Sequence, residues 1–182
     1  MRIVALALAL CFAGSVAAPA DPRVPEPAGY RTDDYRAPVP DNVAGGRVVH
    51  TDAVKAMVDK GEAVLVDVLP APRRPEGMKA GAPWMPTSHD DIPGSVWLPE
   101  VGRGALGPAL DERFRRRLDE LTGGDRNKPL VLYCLPQCWM SWNATKRAAS
   151  YGYRNAIWYP DGSDGWQAAG LPLQQAWPEP VQ

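Results

Sequence analysis

Leu130-Val131-Leu132-Tyr133-Cys134-Leu135-Pro136-Gln137-Cys138-Trp139-Met140 is the stretch that decides how this chain folds. Its first four residues form an unbroken apolar run, the pattern of a strand buried on both faces of a parallel sheet. The run stops at Cys134. A helix is expected over residues 140–151, with Gly152 as its terminator. Cys134 therefore stands between the carboxyl end of a core strand and a helix N-terminus, where open parallel sheets gather their active sites.

The same alternation extends on both sides. Residues 63–68 (Ala63, Val64, Leu65, Val66, Asp67, Val68) make a second continuous strand. Before it, Thr51 is the expected N-cap of a helix whose Val54, Met57 and Val58 share one face, ended by Gly61. Ile92, Pro93 and Gly94 turn into a short strand through Val96 and Trp97. Phe114, Leu118 and Leu121 mark a helix whose Arg113, Arg115, Arg116 and Arg117 are its wet side, stopped by Gly123-Gly124. Residues 156–159 are a further strand, and residues 161–165 read as a turn: their composition is calcium-like, but a calcium loop's ligand spacing and distal glutamate are missing. Residues 69–90 read as a polar, proline-rich loop. Strands alternating with helices predict an α/β fold, a central mostly parallel sheet with helices on both faces.

Arg2 followed by the uncharged apolar run of residues 3–12 reads as a secretory signal, too short to span a bilayer, with small residues before Asp21 suited to cleavage. Cys11 lies in that run, preceded by Leu10 rather than the small residue a lipid anchor requires. Removing 20 of the 182 residues leaves 162, enough for one domain. Those 20 residues hold one basic and no acidic side chain, so the formal charge moves from −1 to −2, which points away from nucleic acid and anionic membranes. No later segment is apolar enough to insert in a membrane. The expected organisation is signal 1–20, extended arm 21–46 pinned by Tyr30 and Tyr35, domain 47–174 and tail 175–182.

After cleavage only Cys134 and Cys138 remain of the three cysteines, in a compartment that favours disulfides. If residues 134–138 wrap like one helical turn, their Cα atoms lie roughly 6 Å apart, within disulfide reach. So small a ring constrains the unfolded chain weakly, which leaves four readings: a reversible redox pair, a sulfur carrier, a soft-metal site such as copper(I), and a structural disulfide. A helix N-terminus would pull the Cys134 thiol below its free value of about 8.5, making it the attacking thiol and Cys138 the resolving one. Trp139 and Trp142 are candidate walls of an apolar ligand pocket beside the cysteines; Trp158 and Trp166 read as core. Ser141 and Asn143 are site-lining candidates that also suit helix capping. Asp67 reads as a backbone acceptor at a strand end, Arg73 and Arg74 as solvated loop residues, and His50 and His89 as ligands only if folding brings them to the cysteines. No metal set and no cofactor is assigned.

Residues 64–68, Ile92 through Pro99, residues 130–134, Gly152-Tyr153, and Trp158 through Gly170-Leu171-Pro172 resemble, in order and spacing, the landmarks of rhodanese-like domains. More narrowly, residues 133–143 and 158–166 resemble the exported cysteine-and-tryptophan-motif (CxxCW) proteins associated with pyrroloquinoline-quinone-dependent alcohol catabolism; this chain has three residues between its cysteines where that name describes two. The resemblance implies a periplasmic protein that serves a quinoprotein dehydrogenase or an associated transport component and handles small sulfur or thiol species. It also places Cys134 at the rhodanese nucleophile position. A rhodanese loop cradles an anion with glycine, arginine and backbone N–H groups, whereas residues 135–140 hold neither glycine nor arginine, and Pro136 donates no N–H. Turnover of thiosulfate is therefore expected to be weak or nil. N-terminal sequencing of the exported protein should read from near Asp21, cutting after Ala17 being the alternative, and retention of Arg2 would overturn the signal assignment.

Overall fold

In the computed structural model residues 24–180 are described, so the signal segment and Cys11 lie outside them. The strands are β1 (Arg47–Val48), β2 (Val64–Asp67), β3 (His89–Asp91), β4 (Val96–Trp97), β5 (Leu130–Tyr133), β6 (Ala156–Tyr159) and β7 (Gln174–Ala176). The helices are α1 (Thr51–Asp59), α2 (Pro108–Thr122), α3 (Trp139–Ser150) and α4 (Gly162–Ala168). Five strands form a parallel sheet in the order β1-β6-β5-β2-β4. All four residues of β5 pair with β2 on one side and β6 on the other, from Leu130 opposite Val64 and Ala156 to Tyr133 opposite Asp67 and Tyr159.

Side chains alternate across a strand, and that splits the core in two. Val66, Leu130 and Leu132 face Phe114 and Leu118 of α2 and Met140, Ala144 and Ala148 of α3. Leu65, Val131, Ile157 and Tyr159 face Val54 of α1 and Trp166 of α4. The expected α/β architecture, helices on both faces of a parallel sheet, is the one that forms. Each fully buried leucine or valine contributes roughly 1.5–3 kcal/mol, and the central strand carries Leu130, Val131 and Leu132 at 0% exposure. Among the described residues no helix is long and apolar enough to cross a membrane.

Local expectations change in three places. Thr51 is the first helical residue and His50 the N-cap; His50 makes no side-chain cap, and the Thr51 N–H donates instead to Asp161 Oδ2 at 3.1 Å. The stretch expected as a turn at residues 161–165 opens helix α4. Inside the expected 69–90 loop, β3 begins at His89 and pairs antiparallel with β7, strapping the C-terminal segment to the domain. The strap continues: the Glu179 N–H donates to the Trp97 carbonyl at 2.9 Å, and its carboxylate pairs with Arg117 at 2.7 Å.

Beneath β3 lies a buried polar cluster. Asp67, at 0% exposure, accepts from Leu69 N at 2.7 Å and lies 2.8 Å from His89 Nε2, while the His89 ring meets Trp97 edge-on. Tyr133 Oη accepts from Ile92 N and donates to Ser95 Oγ at 2.7 Å. Asp91 is also fully buried, and neither of its oxygens closes a well-formed hydrogen bond among the described residues. Burial first, then the neighbouring Asp67 charge, pushes Asp91 up to about 6. Burial raises Asp67 against the opposing pull of His89 and Leu69. For His89 burial acts downward, but the contact with Asp67 outweighs it and the net shift is upward.

All three groups therefore bind protons more tightly folded than unfolded, so their contribution is full in acid and fades as pH rises through about 6 for Asp91 and above the ordinary 6.5 for His89. Urea unfolding should show stability falling by roughly 2–3 kcal/mol between about pH 4 and 6.5, with Asp91→Asn flattening most of that slope. A stability that rises across the interval would contradict this account of the cluster.

Candidate active site

The alternation along β5 sends Cys134 to the α2/α3 face, where it packs with Val68, Cys138 and Met140. Cys134 and Cys138 are joined by a disulfide, with Cα atoms 6.5 Å apart. Cys138 is the N-cap of α3, in extended backbone, and Gln137 before it sits at φ 51°, left-handed for a residue with a Cβ. Both cysteines are buried, at 1% and 3% exposure, beneath the Pro136-Gln137 turn, of which Gln137 is exposed. Two influences would compete over a thiol here. The α3 N-terminus favours the thiolate, whereas burial and the carbonyl oxygens of Leu135 and Cys138, each 3.8 Å from Cys134 Sγ, oppose it.

The start of α4 is the second wall. Ser163 N donates to the Cys134 carbonyl at 3.0 Å, and a Cβ on Gly162 would lie 2.3 Å from that oxygen. Gly162, at φ 61°, is thus the residue type that lets α4 abut the cysteine loop. Asp161 accepts from Thr51 N and Thr51 Oγ1, both at 3.1 Å, and its Oδ1 lies 2.9 Å from His50 Nδ1. Together with Pro136, Gln137, Trp158 and Asp41, this His50–Asp161 pair lines a cavity of about 420 Å³. Sequence reasoning missed Asp161 as a site residue. The available signal was its place just after a core strand, the position Cys134 also holds.

The other candidates serve a different purpose. Residues 24–46 run without helix or strand and dock on α3. Trp139 and Trp142 are buried with Trp158 under Val24, Ala37, Val39 and Val43. Trp139 Nε1 donates to the Pro38 carbonyl and Trp142 Nε1 to the Asn42 carbonyl. Trp142 therefore anchors the arm rather than walling a free pocket; Trp139, at 3% exposure, reaches the edge of a cavity shared with arm residues Val24, Tyr30 and Arg31. Asn143 clamps the arm too, exchanging hydrogen bonds with the backbone of Arg31 at 2.8 and 2.9 Å and donating to Gly102. Ser141 Oγ donates to the Cys138 carbonyl and accepts from Trp158 Nε1, each at 3.0 Å. Tyr35 supplies the capping atom that the helix needs: its carbonyl accepts from Trp139 N at 2.9 Å. Tyr30 lies under the Arg147 guanidinium, 4.2 Å from ring to cation.

Neither histidine comes to the cysteines as a ligand, His50 being held by Asp161 and His89 by Asp67. Arg73 pairs with Glu100, and Arg74 donates to the Lys79 carbonyl; both border a separate groove with Trp84 and Met85. Although burial acts to raise it, the Glu100 carboxyl stands below its ordinary value because Arg103 and Arg73 hold it there.

A human single-domain sulfurtransferase is similar at 23% identity over 66% of this chain and 95% of its own, with a TM-score of 0.41. The polysulfide-sulfur transferase homodimer of Wolinella succinogenes is 21% identical over 72% of this chain and 80% of its own, at 0.42. A 3-mercaptopyruvate sulfotransferase of Escherichia coli is 22% identical over 70% of this chain and 50% of its own, at 0.47. A search of curated proteins finds no match. The family described as Rhodanese-like domain matches residues 50–169, from His50 at the cavity wall past the end of α4, and it is to this family that the chain belongs.

Proposed function

We propose that this chain is an exported rhodanese-like protein whose Cys134 and Cys138 form a thiol–disulfide or sulfur-carrying pair. The observation that carries the reading is the disulfide itself, which joins Cys134, at the strand end where the resemblance puts the family's nucleophile, to Cys138, the N-cap of α3. The likeness of residues 133–143 and 158–166 to the exported CxxCW proteins supports a periplasmic setting beside quinoprotein alcohol oxidation, with a dehydrogenase or transport component as partner. The sulfurtransferases among the similar structures support small sulfur species as cargo.

In this reading the thiolate of reduced Cys134 attacks one sulfur of a disulfide or polysulfide; the donor S–S bond breaks, its other half leaves as a thiolate or shortened polysulfide, and Cys134 holds the cargo as a mixed disulfide or persulfide. Cys138 then attacks the Cys134 sulfur, closes the Cys134–Cys138 bond and expels the cargo as a thiolate or hydrosulfide. Ordinary thiosulfate turnover does not fit, since the loop lacks a cationic clamp and the arm carbonyl of Tyr35 uses the Trp139 N–H. Burial of both sulfurs favours a second reading, an accessory protein that docks a partner and keeps a structural disulfide.

Mass spectrometry of the mature protein before and after mild reduction separates the two. The first reading expects a gain of two hydrogens under mild thiol and a mixed disulfide or persulfide trapped on Cys134 in Cys138→Ser, with nothing trapped in Cys134→Ser. A disulfide that opens only on unfolding establishes the second reading. Thiosulfate:cyanide activity should lie about a hundredfold or more below that of an ordinary rhodanese, the scale of losing an anion-stabilising donor.

A further inference from the structure

Pro136 and Gln137 lie within the ring closed by the Cys134–Cys138 disulfide, and both line the 420 Å³ cavity that also holds His50 and Asp161. Three facts make the His50–Asp161 pair more than a surface contact. Asp161 is fixed by two further donors, Thr51 N and Thr51 Oγ1, and that hydroxyl lies 2.8 Å from Tyr159 Oη, so the carboxylate has little freedom. Asp161 Oδ1 and Oδ2 lie 2.9 and 3.1 Å from His50 Nδ1, and a carboxylate accepts, so Nδ1 donates to Asp161 and Nε2 is the nitrogen left outside that contact. The histidine side chain is 72% exposed, although its partner is only 30% exposed, so the basic nitrogen is accessible from solvent. The carboxylates lining this cavity are Asp161, from the α4 side, and Asp41, from the arm.

We propose, building on the thiol–disulfide reading above, that His50 is the proton relay of that exchange and that the cavity over Pro136 and Gln137 is where a small thiol enters. The need for a relay is chemical: burial and two facing carbonyls oppose a thiolate at Cys134, so a proton must be taken up and returned near the loop. Gln137 holds the turn at φ 51°, a left-handed conformation that disfavours a residue with a Cβ, and in this proposal its relaxation is the motion that exposes the sulfurs.

The steps balance. An incoming thiol loses its proton to His50 Nε2, and its sulfur forms a bond to Cys134 Sγ as the Cys134–Cys138 bond breaks. Cys138 leaves with the electron pair and takes the proton from His50. A second thiol repeats the sequence at the carried sulfur, so two thiols become one disulfide and the protein gains two electrons and two protons.

The test uses free L-cysteine as the thiol and follows reduction of Cys134–Cys138 by alkylation and mass spectrometry in the full mature chain. His50→Gln keeps a donor for Asp161 but cannot carry a proton. At pH 7 it should slow reduction by at least about tenfold, a threshold set below the roughly hundredfold that a general acid–base group contributes at the low end. The deficit should shrink to less than about twofold near pH 9.5, where a thiol of pKa about 8.5 is already ionised. Added imidazole should restore the variant at pH 7 and leave the natural protein unchanged. If the natural protein is reduced readily and His50→Gln matches it, or is slowed equally at both pH values without imidazole rescue, the relay is refuted while the exchange reading stands. If L-cysteine fails to open the natural disulfide at all, both fall together.

Discussion

The parallel pairing of Leu130–Tyr133 between two neighbours holds everything else in place. Because β5 is hydrogen-bonded on both sides from end to end, its register leaves no freedom in which face each residue takes. Shifting it by one residue would exchange the two sets. Leu130, Leu132 and Cys134 would leave the α2/α3 side, and Tyr133 would leave the polar cluster under β3. The chemistry of the cysteine loop and the proton-binding cluster at Asp67 are thus two outputs of one ladder, on opposite faces of the sheet.

Helix α3 then organises the second level. Its N-terminus lies beside the disulfide, and its first turn and a half carry Trp139, Trp142 and Asn143, which receive the arm. Indole N–H groups are donors only, so two buried tryptophans require two acceptors, and the arm supplies them as backbone carbonyls from Pro38 and Asn42. An extended segment has unpaired carbonyls to offer, and an α3 surface rich in side-chain donors satisfies them. Lys146 extends the pattern with the carbonyls of Pro27, Ala28 and Gly29. The result is a domain whose α3 surface is covered by its own leading segment, with Tyr35 packed against the cluster that buries Cys134 and Cys138.

On the far side of the loop, Asp161 links three parts of the chain. It follows β6, starts the approach to α4, supplies the cap that α1 lacks and orients His50. A carboxylate at the N-terminus of one helix stabilises that end through its dipole and free N–H groups. Here the cap arrives from 110 residues away. Gly162 beside it lets the α4 start touch the Cys134 carbonyl, so the cavity and the cysteine loop share a wall.

What the sequence by itself determined is what period and punctuation encode. Continuous apolar runs marked the strands, a face of Phe114 and Leu118 marked a helix, and glycines marked helix ends, because these signals act within a few residues. The pairing distance of Cys134 and Cys138 was legible for the same reason, their separation being four residues. Only the tertiary structure decided the rest. Six residues of strand, His89–Asp91 and Gln174–Ala176, are too short and polar to announce themselves and exist because distant partners complete their hydrogen bonds. Trp142 suited core as well as a ligand wall and Asn143 suited capping as well as a site, since a side chain's type does not say whether solvent, ligand or chain will cover it. Asp161 and His50 lie 111 residues apart and meet only through the closeness of β1 and β6 in the sheet. Local physics wrote the elements, and long-range hydrogen bonding chose which side chains they bring together.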